Sequence, residues 1–432
     1  MSTPGVVIKY PSMRVTRLTR TLLVAAGTVV AVAVLALLLY QLPAVNTRLG
    51  WRADFALAYL RGIVNPVGEV PTALPPPEVI TISRLQPSPT PTQGPTATLT
   101  PGPTPTPAPS PTPIPGAVSL TPPRWEKQEA NNCGPATLAL YLRYYGWEGD
   151  QNDISDMLKP HSEDRNVNVE ELHYYAQNRA GWLSSLFRVG GDLETIKKLL
   201  AAGIPVMIEE SFQLETRYWP NDDQWAAHYN LVTGYDDATQ TFTTQDSYIG
   251  PDQIIPYDKL NEYWRSFNYV YILLYPPDKE ETVKDILGPH WDIDYNRQHA
   301  LGTAQADAEQ NPEDAFAWFN VGTNLVYFER YREAAQAYDR ARELGLPQRF
   351  LRYQFGPFFA YFHTRRMEDL KSLTDYALQI TPNSEEALLW QGWMHFRNGN
   401  TNGAMSSFQR ALVENPFYQD AQYAINFIQG NQ

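Results

Sequence analysis

The strongest apolar stretch of the chain lies close to its N-terminus. Residues 21–40, TLLVAAGTVVAVAVLALLLY, contain no charged side chain. About twenty such residues are enough for a helix to cross the roughly 30 Å hydrocarbon core of a bilayer. The pattern therefore predicts a transmembrane helix.

The charges before this stretch predict its orientation. Residues 1–20 contain no acidic side chain and four basic ones, Lys9, Arg14, Arg17 and Arg20. Because basic residues collect on the cytoplasmic side of membrane helices, we expect residues 1–20 in the cytoplasm and everything after Gln41 outside. A cleaved signal peptide is the alternative, but the apolar run is long for one and no clear small-x-small cleavage site follows it.

Two segments of different character come next. The juxtamembrane residues 41–85 include WRADFALAYLRGIVNP, whose apolar residues recur at helical spacing. This piece is either an interfacial helix on the outer leaflet or a short packing helix. Residues 86–123 are rich in proline and threonine and carry no charge. We predict a disordered, semi-extended stalk that holds the rest of the chain on the order of 100 Å from the membrane.

Residues 124–278 mix helical and strand patterns. Helical spacing follows Cys133, recurs over residues 166–179, and occurs a third time after Asp192, which suits an N-cap. The strand patterns are Pro205–Glu209, a hairpin in HYNLVTGYDDATQTFTTQDSY, and a closing strand in FNYVYILLYPP. Helices followed by antiparallel strands are typical of an α+β domain.

The remaining residues are helical in pattern and contain an internal repeat. We expect linker helices over residues 279–314 and an array over residues 315–432. One spacing of small and aromatic residues occurs twice, as Trp318, Val321, Gly322, Leu325, Ala334, Tyr338 and Ala341, and as Leu388, Gly392, Ala404, Phe408 and Ala411. A degenerate copy between them has Phe358 in place of the glycine. The spacing resembles the tetratricopeptide repeat of about thirty-four residues, which implies an all-α solenoid; an ordinary helical bundle is the alternative.

Charge and cysteine content narrow the possible functions. The formal net charge of -13 and the pI near 5.1 argue against a nucleic-acid partner, which needs a basic surface. Cys133 is the one cysteine among 432 residues, so no disulfide can form within the chain. A lone cysteine in an exported protein either pairs with another chain, is buried and inert, or is a reactive thiol.

The position of Cys133 favours the reactive thiol. The residue begins an apolar helical run in NNCGPATLALYLRYYG, and the positive end of a helix dipole favours a thiolate. A cysteine nucleophile needs a base and a group that orients the base. His228 opens the clearest strand of the domain and Asp246 lies on the returning strand, with Asp236 and Asp237 as competing acids.

Three further residues are candidates for the site. Gln128 precedes the cysteine and can donate to an oxyanion. Trp219 and Trp225 precede His228 and either line a substrate groove or pack in the core. The sequence contains no HExxH motif, cysteine pair or phosphate loop, so we expect neither a metal nor a cofactor.

Three blocks of the sequence resemble the signature blocks of a known family. QEANNCGPATLALYLRYYG, HYNLVTGYDD and QDSYIG resemble the signature blocks of the bacteriocin-processing (double-glycine leader) cysteine peptidases and their stand-alone relatives. The resemblance covers roughly a third of the chain and implies a papain-like fold. It also implies that Cys133 is the nucleophile, His228 the general base and acid, Asp246 the orienting group and Gln128 the oxyanion donor.

The chain departs from that family at three points. Gln128 lies five residues before Cys133, one fewer than in the transporter-linked members. Ser247 stands where a proline commonly follows the aspartate. No ATP-binding cassette pattern follows, so the sequence does not indicate peptide export or double-glycine specificity.

These patterns together predict a membrane-anchored, extracytoplasmic thiol peptidase or amide hydrolase. Its substrate would be a peptide or protein, and the repeats would dock a protein or peptide partner in their concave face. Two other functions fit the same residues. One is a non-catalytic, membrane-tethered peptide-binding scaffold, and the other is a thiol acyltransferase such as a transpeptidase or transglutaminase.

Overall fold

The computed structural model of the chain describes residues 24–25, 27–28, 30–32, 34–35, 55–75, 114–159 and 167–430. The predicted cytoplasmic segment and most of the predicted membrane helix, residues 21–40, lie outside these residues. Those described between residues 24 and 35 are helical, and residues 55–64 form a helix, α1. Within the described part of the chain, no helix is both long and apolar enough to span a bilayer. The chain divides into two compact units, residues 1–61 and 62–432, and the second contains everything that follows.

Seven antiparallel strands form one sheet in the second unit. The sheet runs in the order β2-β7-β3-β4-β5-β6, and β1 pairs with β4 beyond the end of β3. The strands are β1 Ala117–Ser119, β2 Ser184–Arg188, β3 Val206–Gln213, β4 Trp225–Asp236, β5 Thr241–Asp246, β6 Gly250–Pro256 and β7 Tyr271–Tyr275.

Both faces of the sheet are covered, which explains the continuous apolar runs in its central strands. On β3, Met207 joins one buried cluster, whereas its neighbours Val206 and Ile208 join another on the opposite face. Five helices belong to this α+β domain, and they are α2 Cys133–Tyr144, α3 Gln151–Leu158, α4 Val169–Asn178, α5 Leu193–Ala201 and α6 Tyr257–Arg265. The predicted α2, α4 and α5 and the β4–β5 hairpin are confirmed.

The predicted C-terminal boundary of the stalk, residue 123, is wrong. Residues 114–123 are described, and within them β1 pairs with β4 while the Leu120 N–H donates to the Thr233 carbonyl at 2.9 Å. Strand β4 extends past β3, so its backbone groups there need a partner. Gly234 allows the approach, because a Cβ at that position would lie 2.7 Å from the Val118 carbonyl oxygen. Residues 86–113 of the predicted stalk lie outside the described residues.

After β7 the second unit is helical, as predicted. Its helices are α7 Glu280–Leu287, α8 Ile293–Gln310, α9 Ala315–Tyr327, α10 Tyr331–Leu344, α11 Gly356–His363, α12 Met367–Ile380, α13 Glu385–Arg397, α14 Thr401–Glu414 and α15 Gln419–Gly430. They form the antiparallel pairs α9–α10, α11–α12 and α13–α14.

One contact explains the spacing of small and aromatic residues in the repeat. A Cβ at Gly322 would lie 2.5 Å from the ring of Tyr338, and a Cβ at Gly392 would lie 2.4 Å from the ring of Phe408. The aromatic ring of the second helix therefore rests directly on the glycine backbone of the first helix in both good copies. This helical region fits the tetratricopeptide repeats that the sequence predicts.

The α+β domain and the repeats share an extensive interface. Trp225 packs against Phe267 of its own domain and against Phe316 and Phe350 of the helical region, with ring centroids 5.3–6.1 Å apart. Asp222 forms a buried two-pronged ion pair with Arg349, both contacts measuring 2.5 Å. The two regions are therefore packed together as parts of one compact unit.

Candidate active site

Cys133 is the first residue of α2, and the sequence around it suits the start of a helix. Pro135 lies in the first turn, where a backbone N–H has no partner within the helix, so its missing donor costs nothing. A Cβ at Gly134 would lie 3.3 Å from the ring of Tyr229, so the helix start packs closely on β4. The Thr137 hydroxyl also donates to the Tyr229 carbonyl at 3.0 Å. These contacts fix the thiol beside the strand that carries His228.

The loop before Cys133 is held by two buried polar residues of the α3 region. Gln151 accepts hydrogen bonds from the Glu129 N–H (2.7 Å) and the Asn132 amide (2.8 Å), and it donates to the Lys127 carbonyl (2.9 Å). The Lys159 ammonium donates to the Asn131 carbonyl at 2.8 Å. The sequence analysis did not identify Gln151 or Lys159, because neither belongs to a motif or an apolar stripe.

His228 and Asp246 meet between β4 and β5. The His228 Nε2 and the Asp246 Oδ1 lie 3.0 Å apart, and each residue is only 3% exposed. The same carboxylate oxygen accepts the backbone N–H groups of Tyr248 (2.7 Å) and Ile249 (2.9 Å). His228 also hydrogen-bonds to the side chain of Cys133. The imidazole is therefore held between the thiol and the carboxylate.

The competing acids have other partners. Asp237 forms an ion pair with Lys197 at 3.0 Å and accepts a hydrogen bond from the Tyr257 hydroxyl at 2.9 Å. Asp236 accepts the Ala238 N–H in the β4–β5 turn. Of the three candidate acids, Asp246 is therefore the one that bonds to His228.

Electrostatics in the site favour an ion pair between the thiol and the imidazole. Burial of Cys133 opposes its ionisation, but the hydrogen bond and the charge of His228 outweigh burial, so the pKa of the thiol lies below its ordinary value. Burial likewise disfavours the charged form of His228, but hydrogen bonds to Asp246 and Cys133 prevail and raise its pKa. Burial of Asp246 is outweighed by the hydrogen bond and charge of His228, so its pKa is lowered.

Gln128 lies beside this group and is oriented by Ser247. The Ser247 hydroxyl donates to the Gln128 Oε1 at 3.0 Å, and the Gln128 N–H donates to the Ser247 carbonyl at 2.8 Å. Because the side-chain carbonyl of Gln128 accepts from the serine, its amide NH₂ is the group left to donate elsewhere. Ser247, the residue found in place of a common proline, therefore has a definite structural role.

The comparisons with known proteins agree with this arrangement. The model of the Peptidase_C39 like family matches residues 121–272, which include Cys133, Gln128, His228 and Asp246. The chain thus carries a cysteine peptidase domain, called the C39-like domain from here on. No curated protein sequence matches the chain.

Several solved structures resemble parts of the chain. One protein from Bacillus anthracis, described as a C39-like peptidase, has 17% identity, covers 37% of this chain and 96% of that chain, and gives a TM-score of 0.30. A double glycine motif protease from an AMS/PCAT transporter, in complex with the leader peptide, has 18% identity and a TM-score of 0.27. It covers 37% of this chain and 94% of that chain. YrrB, a TPR protein with an unusual peptide-binding site, has 16% identity, shares of 33% and 88%, and a TM-score of 0.18. Similarities this low assign no ligand or substrate to this chain.

The two tryptophans expected near a substrate groove lie at the interface between the C39-like domain and the repeats. Trp219 is 6% exposed, donates from its indole N–H to the Gln348 Oε1 at 2.8 Å, and lies under the Arg349 guanidinium. Trp225 is half-buried in the aromatic interface described above. Their positions favour the packing alternative, and their contact with substrate stays a prediction.

One buried carboxyl group beside His228 escaped the sequence analysis. Glu210 on β3 lies directly opposite His228 on β4 and is 4% exposed. Its Oε1 accepts from the Asn230 amide at 3.1 Å, whereas its Oε2 is buried without a hydrogen-bond partner. Burial raises the pKa of Glu210 to about 7, although the nearby charge of His228 lowers it in part. The period-2 pattern of β3 places this side chain on the same face of the sheet as the candidate site, which is the signal that could have found it.

One group of acidic residues among those described has the spacing of a cation site. Carboxylate oxygens of Glu171, Glu385 and Glu386 lie within 4.8 Å of one another. Glu171 already accepts the Asn168 N–H, and Glu385 accepts from the Asn415 amide. Acidic groups often gather in this way without an ion, so the cluster carries no metal assignment. The expectation of no metal and no cofactor stays a prediction.

Proposed function

We propose that Cys133, His228 and Asp246 form a catalytic triad that hydrolyses peptide bonds. The observation that carries the proposal is the chain of hydrogen bonds from the Cys133 thiol through the His228 imidazole to the Asp246 carboxylate. This is the arrangement of nucleophile, base and orienting group that thiol catalysis requires.

Each group has a defined task in the reaction. The Cys133 thiolate attacks the carbonyl carbon of the scissile bond, and the Gln128 amide donates to the oxyanion that forms. The His228 imidazolium gives its proton to the leaving amine as the C–N bond breaks and a thioester remains. Water then attacks the thioester, His228 takes its proton, and the C–S bond breaks to release the acid. Asp246 holds the imidazole in place throughout.

The pH dependence of Cys133 alkylation by iodoacetamide tests this proposal in the full chain. An unperturbed thiol reacts fully only above a pH of about 8.5, whereas one paired with an imidazolium reacts well below that. We expect fast labelling at mildly acidic pH that is lost in His228→Ala and kept in the exposed control His299→Ala. Slow labelling with the same profile in all three proteins would make Cys133 structural and would favour the non-catalytic scaffold.

We further propose that the chain is anchored in a membrane with this domain outside the cytoplasm. The support is the uncharged stretch at residues 21–40 and the exclusively basic residues before it. Protease added to the outside of intact cells should degrade the C39-like domain, whereas residues 1–20 should remain protected. A protected C-terminus would contradict this orientation.

The repeats are proposed to dock a protein or peptide partner on their first helices. Phe359 on α11 is 39% exposed and packs against Trp390 of α13 in a tilted arrangement, with ring centroids 4.4 Å apart. Exposed aromatic side chains of this kind are common anchors for binding partners. Phe359→Asp should weaken partner capture by the full chain, with Val413→Asp as a control for an exposed apolar residue elsewhere. Equal capture by both variants and the native chain would count against this surface.

A further inference from the structure

Residues 65–74, NPVGEVPTAL, lie against the repeats and are called the strap here. The strap has no helix or strand of its own, and its backbone is held by side chains from the second helices of two repeats. Arg342 of α10 donates to the carbonyls of Pro71 (2.7 Å) and Thr72 (2.8 Å). At the end of the strap, the Leu74 N–H donates to the Asp369 carboxylate of α12 at 3.1 Å.

The other end of the strap is held in the same way. The Tyr376 hydroxyl of α12 donates to the Gly68 carbonyl at 3.2 Å, and the Gln379 amide donates to the Pro66 carbonyl at 3.1 Å. Each of these bonds goes to the strap backbone. The repeats therefore recognise the strap as a peptide, through its main chain.

Two valines anchor the strap by their side chains. Val67 is 4% exposed and Val70 is 5% exposed, and Val70 belongs to the hydrophobic core of the repeats. Glu69 between them is exposed. Burying the two valine side chains removes apolar surface from water, which stabilises the docked strap. Backbone hydrogen bonds with apolar anchors are typical of a specific peptide site.

A buried cation at the centre of this surface bonds both to the repeats and to the strap. Arg342 is 1% exposed, is paired with Asp369 at 2.9 Å and donates to the Tyr361 hydroxyl at 2.8 Å. Its remaining N–H groups are the ones that the strap carbonyls accept. Without the strap, this buried guanidinium would lose two acceptors, which is costly for a charged donor.

The strap also contacts the C39-like domain. The Asn221 amide donates to the Val67 carbonyl, and Gln348 bridges the Asn221 and Gly68 carbonyls. A Cβ at Gly62 would lie 2.5 Å from the Cβ of Trp219. Gly62 is therefore packed closely on the loop that leads to His228.

We propose that the face of α10 and α12 is a peptide-binding site whose resident ligand is the strap of the same chain, so that the strap acts as a non-covalent clip on the repeats. Residues 117–119, near the end of the predicted stalk, are docked on the same unit through the pairing of β1 with β4. The strap and β1 therefore both contact the compact unit that contains the C39-like domain and the repeats.

Cleavage of the full chain within the proline-rich segment tests the clip. A specific protease site is inserted after residue 94, and the cut protein is passed over a sizing column in mild detergent. We expect the N-terminal piece to co-elute with the piece that carries the C39-like domain and the repeats. An excess of synthetic NPVGEVPTAL should release it, and a scrambled peptide should not.

Variants on the strap side leave the repeats intact and make the result decisive. Val70→Asp would bury an ionised carboxylate, so the cut pieces should dissociate with an affinity loss on the order of tenfold or more. Glu69→Gln changes an exposed side chain and should leave the pieces together. Separation of the native pieces would overturn the proposal. Co-elution that survives Val70→Asp would also overturn it, because contacts outside the strap would then hold the pieces.

Discussion

The charge state of His228 depends on two buried carboxyl groups. Asp246 is hydrogen-bonded to the ring, whereas Glu210 lies across the strand pair and acts through space. Because burial raises the pKa of Glu210 to about 7, this group changes charge near neutral pH. An ionised Glu210 stabilises the imidazolium, and a protonated Glu210 does not. The residue therefore makes the ion pair sensitive to pH.

Glu210→Gln should remove this sensitivity. Above about pH 7, the native carboxylate favours the imidazolium and the Gln side chain does not, so the variant should alkylate at Cys133 more slowly, by up to roughly tenfold for one pKa unit. Below that pH Glu210 is protonated, and the two rates should converge. The measurement is the ratio of native to variant iodoacetamide rates from pH 5 to pH 9. The exposed Glu215→Gln serves as the control, and a ratio independent of pH would show that Glu210 does not act on the pair.

Ser247 offers a separate test of the oxyanion donor. Ser247→Ala removes the hydroxyl that orients Gln128, so kcat for peptide hydrolysis should fall by roughly tenfold, less than the ~10²-fold loss expected for Gln128→Ala. Alkylation of Cys133 forms no oxyanion and should be unchanged in both variants. Equal losses of hydrolysis and alkylation would indicate damage to the thiolate and not to the oxyanion donor.

At the scale of elements, the same glycine–aromatic contact organises two repeats. An aromatic ring of the following helix packs against Gly322 and another against Gly392. In the middle copy, which lacks the glycine, Phe358 is fully buried. A side chain at either glycine would push the paired helices apart. The contact therefore fixes the distance between the helices of each good copy.

Gly322→Ala should destabilise the repeats. The added methyl group would overlap the Tyr338 ring, and overpacking of this kind costs about 1–3 kcal/mol of the free energy of unfolding. Gly302→Ala in α8 is the matched control, because a Cβ there meets nothing within 4 Å and alanine favours a helix. Thermal unfolding of the full chain should show a lower Tm for Gly322→Ala only. Equal Tm values for the two variants would mean that the Tyr338 contact does not limit the packing.

At the scale of the whole molecule, the repeats reach the candidate active site. Tyr353, which follows α10 along the chain, belongs to the same buried cluster as Cys133 and hydrogen-bonds to the backbone of Ala227 on β4. Cys133 itself is only 7% exposed. The interface between the two regions therefore contributes to the burial of the thiol.

Tyr353→Ala should make Cys133 more accessible. Loss of the ring opens the cluster, so alkylation should become severalfold faster, and more so for a bulky maleimide than for iodoacetamide. Tyr423→Ala, which truncates an exposed tyrosine of the last helix, is the control. Unchanged or slower labelling of Tyr353→Ala by both reagents would contradict a covering role for this residue.

Local patterns in the sequence determined a large part of this architecture. The helix at Cys133, the β4–β5 hairpin and the repeat were all predictable, because apolar period, turn residues and small–aromatic spacing act within a few turns or strands. The resemblance of three short blocks was enough to indicate the peptidase family. Element β1 was missed, since its strand conformation depends on pairing with the free edge of β4 and its own composition reads as part of the stalk.

Contacts between distant parts of the chain were decided by the tertiary structure alone. The sequence placed Trp219 and Trp225 near His228, but their burial follows from side chains of the repeats more than a hundred positions away. The positions of Glu210 and Gln151 beside the site, and of the strap on Arg342, have the same origin. The local hydrophobic pattern of the sequence indicates which face of a helix or strand is apolar. The partner of that face, and the buried polar groups that it satisfies, depend on how the elements pack.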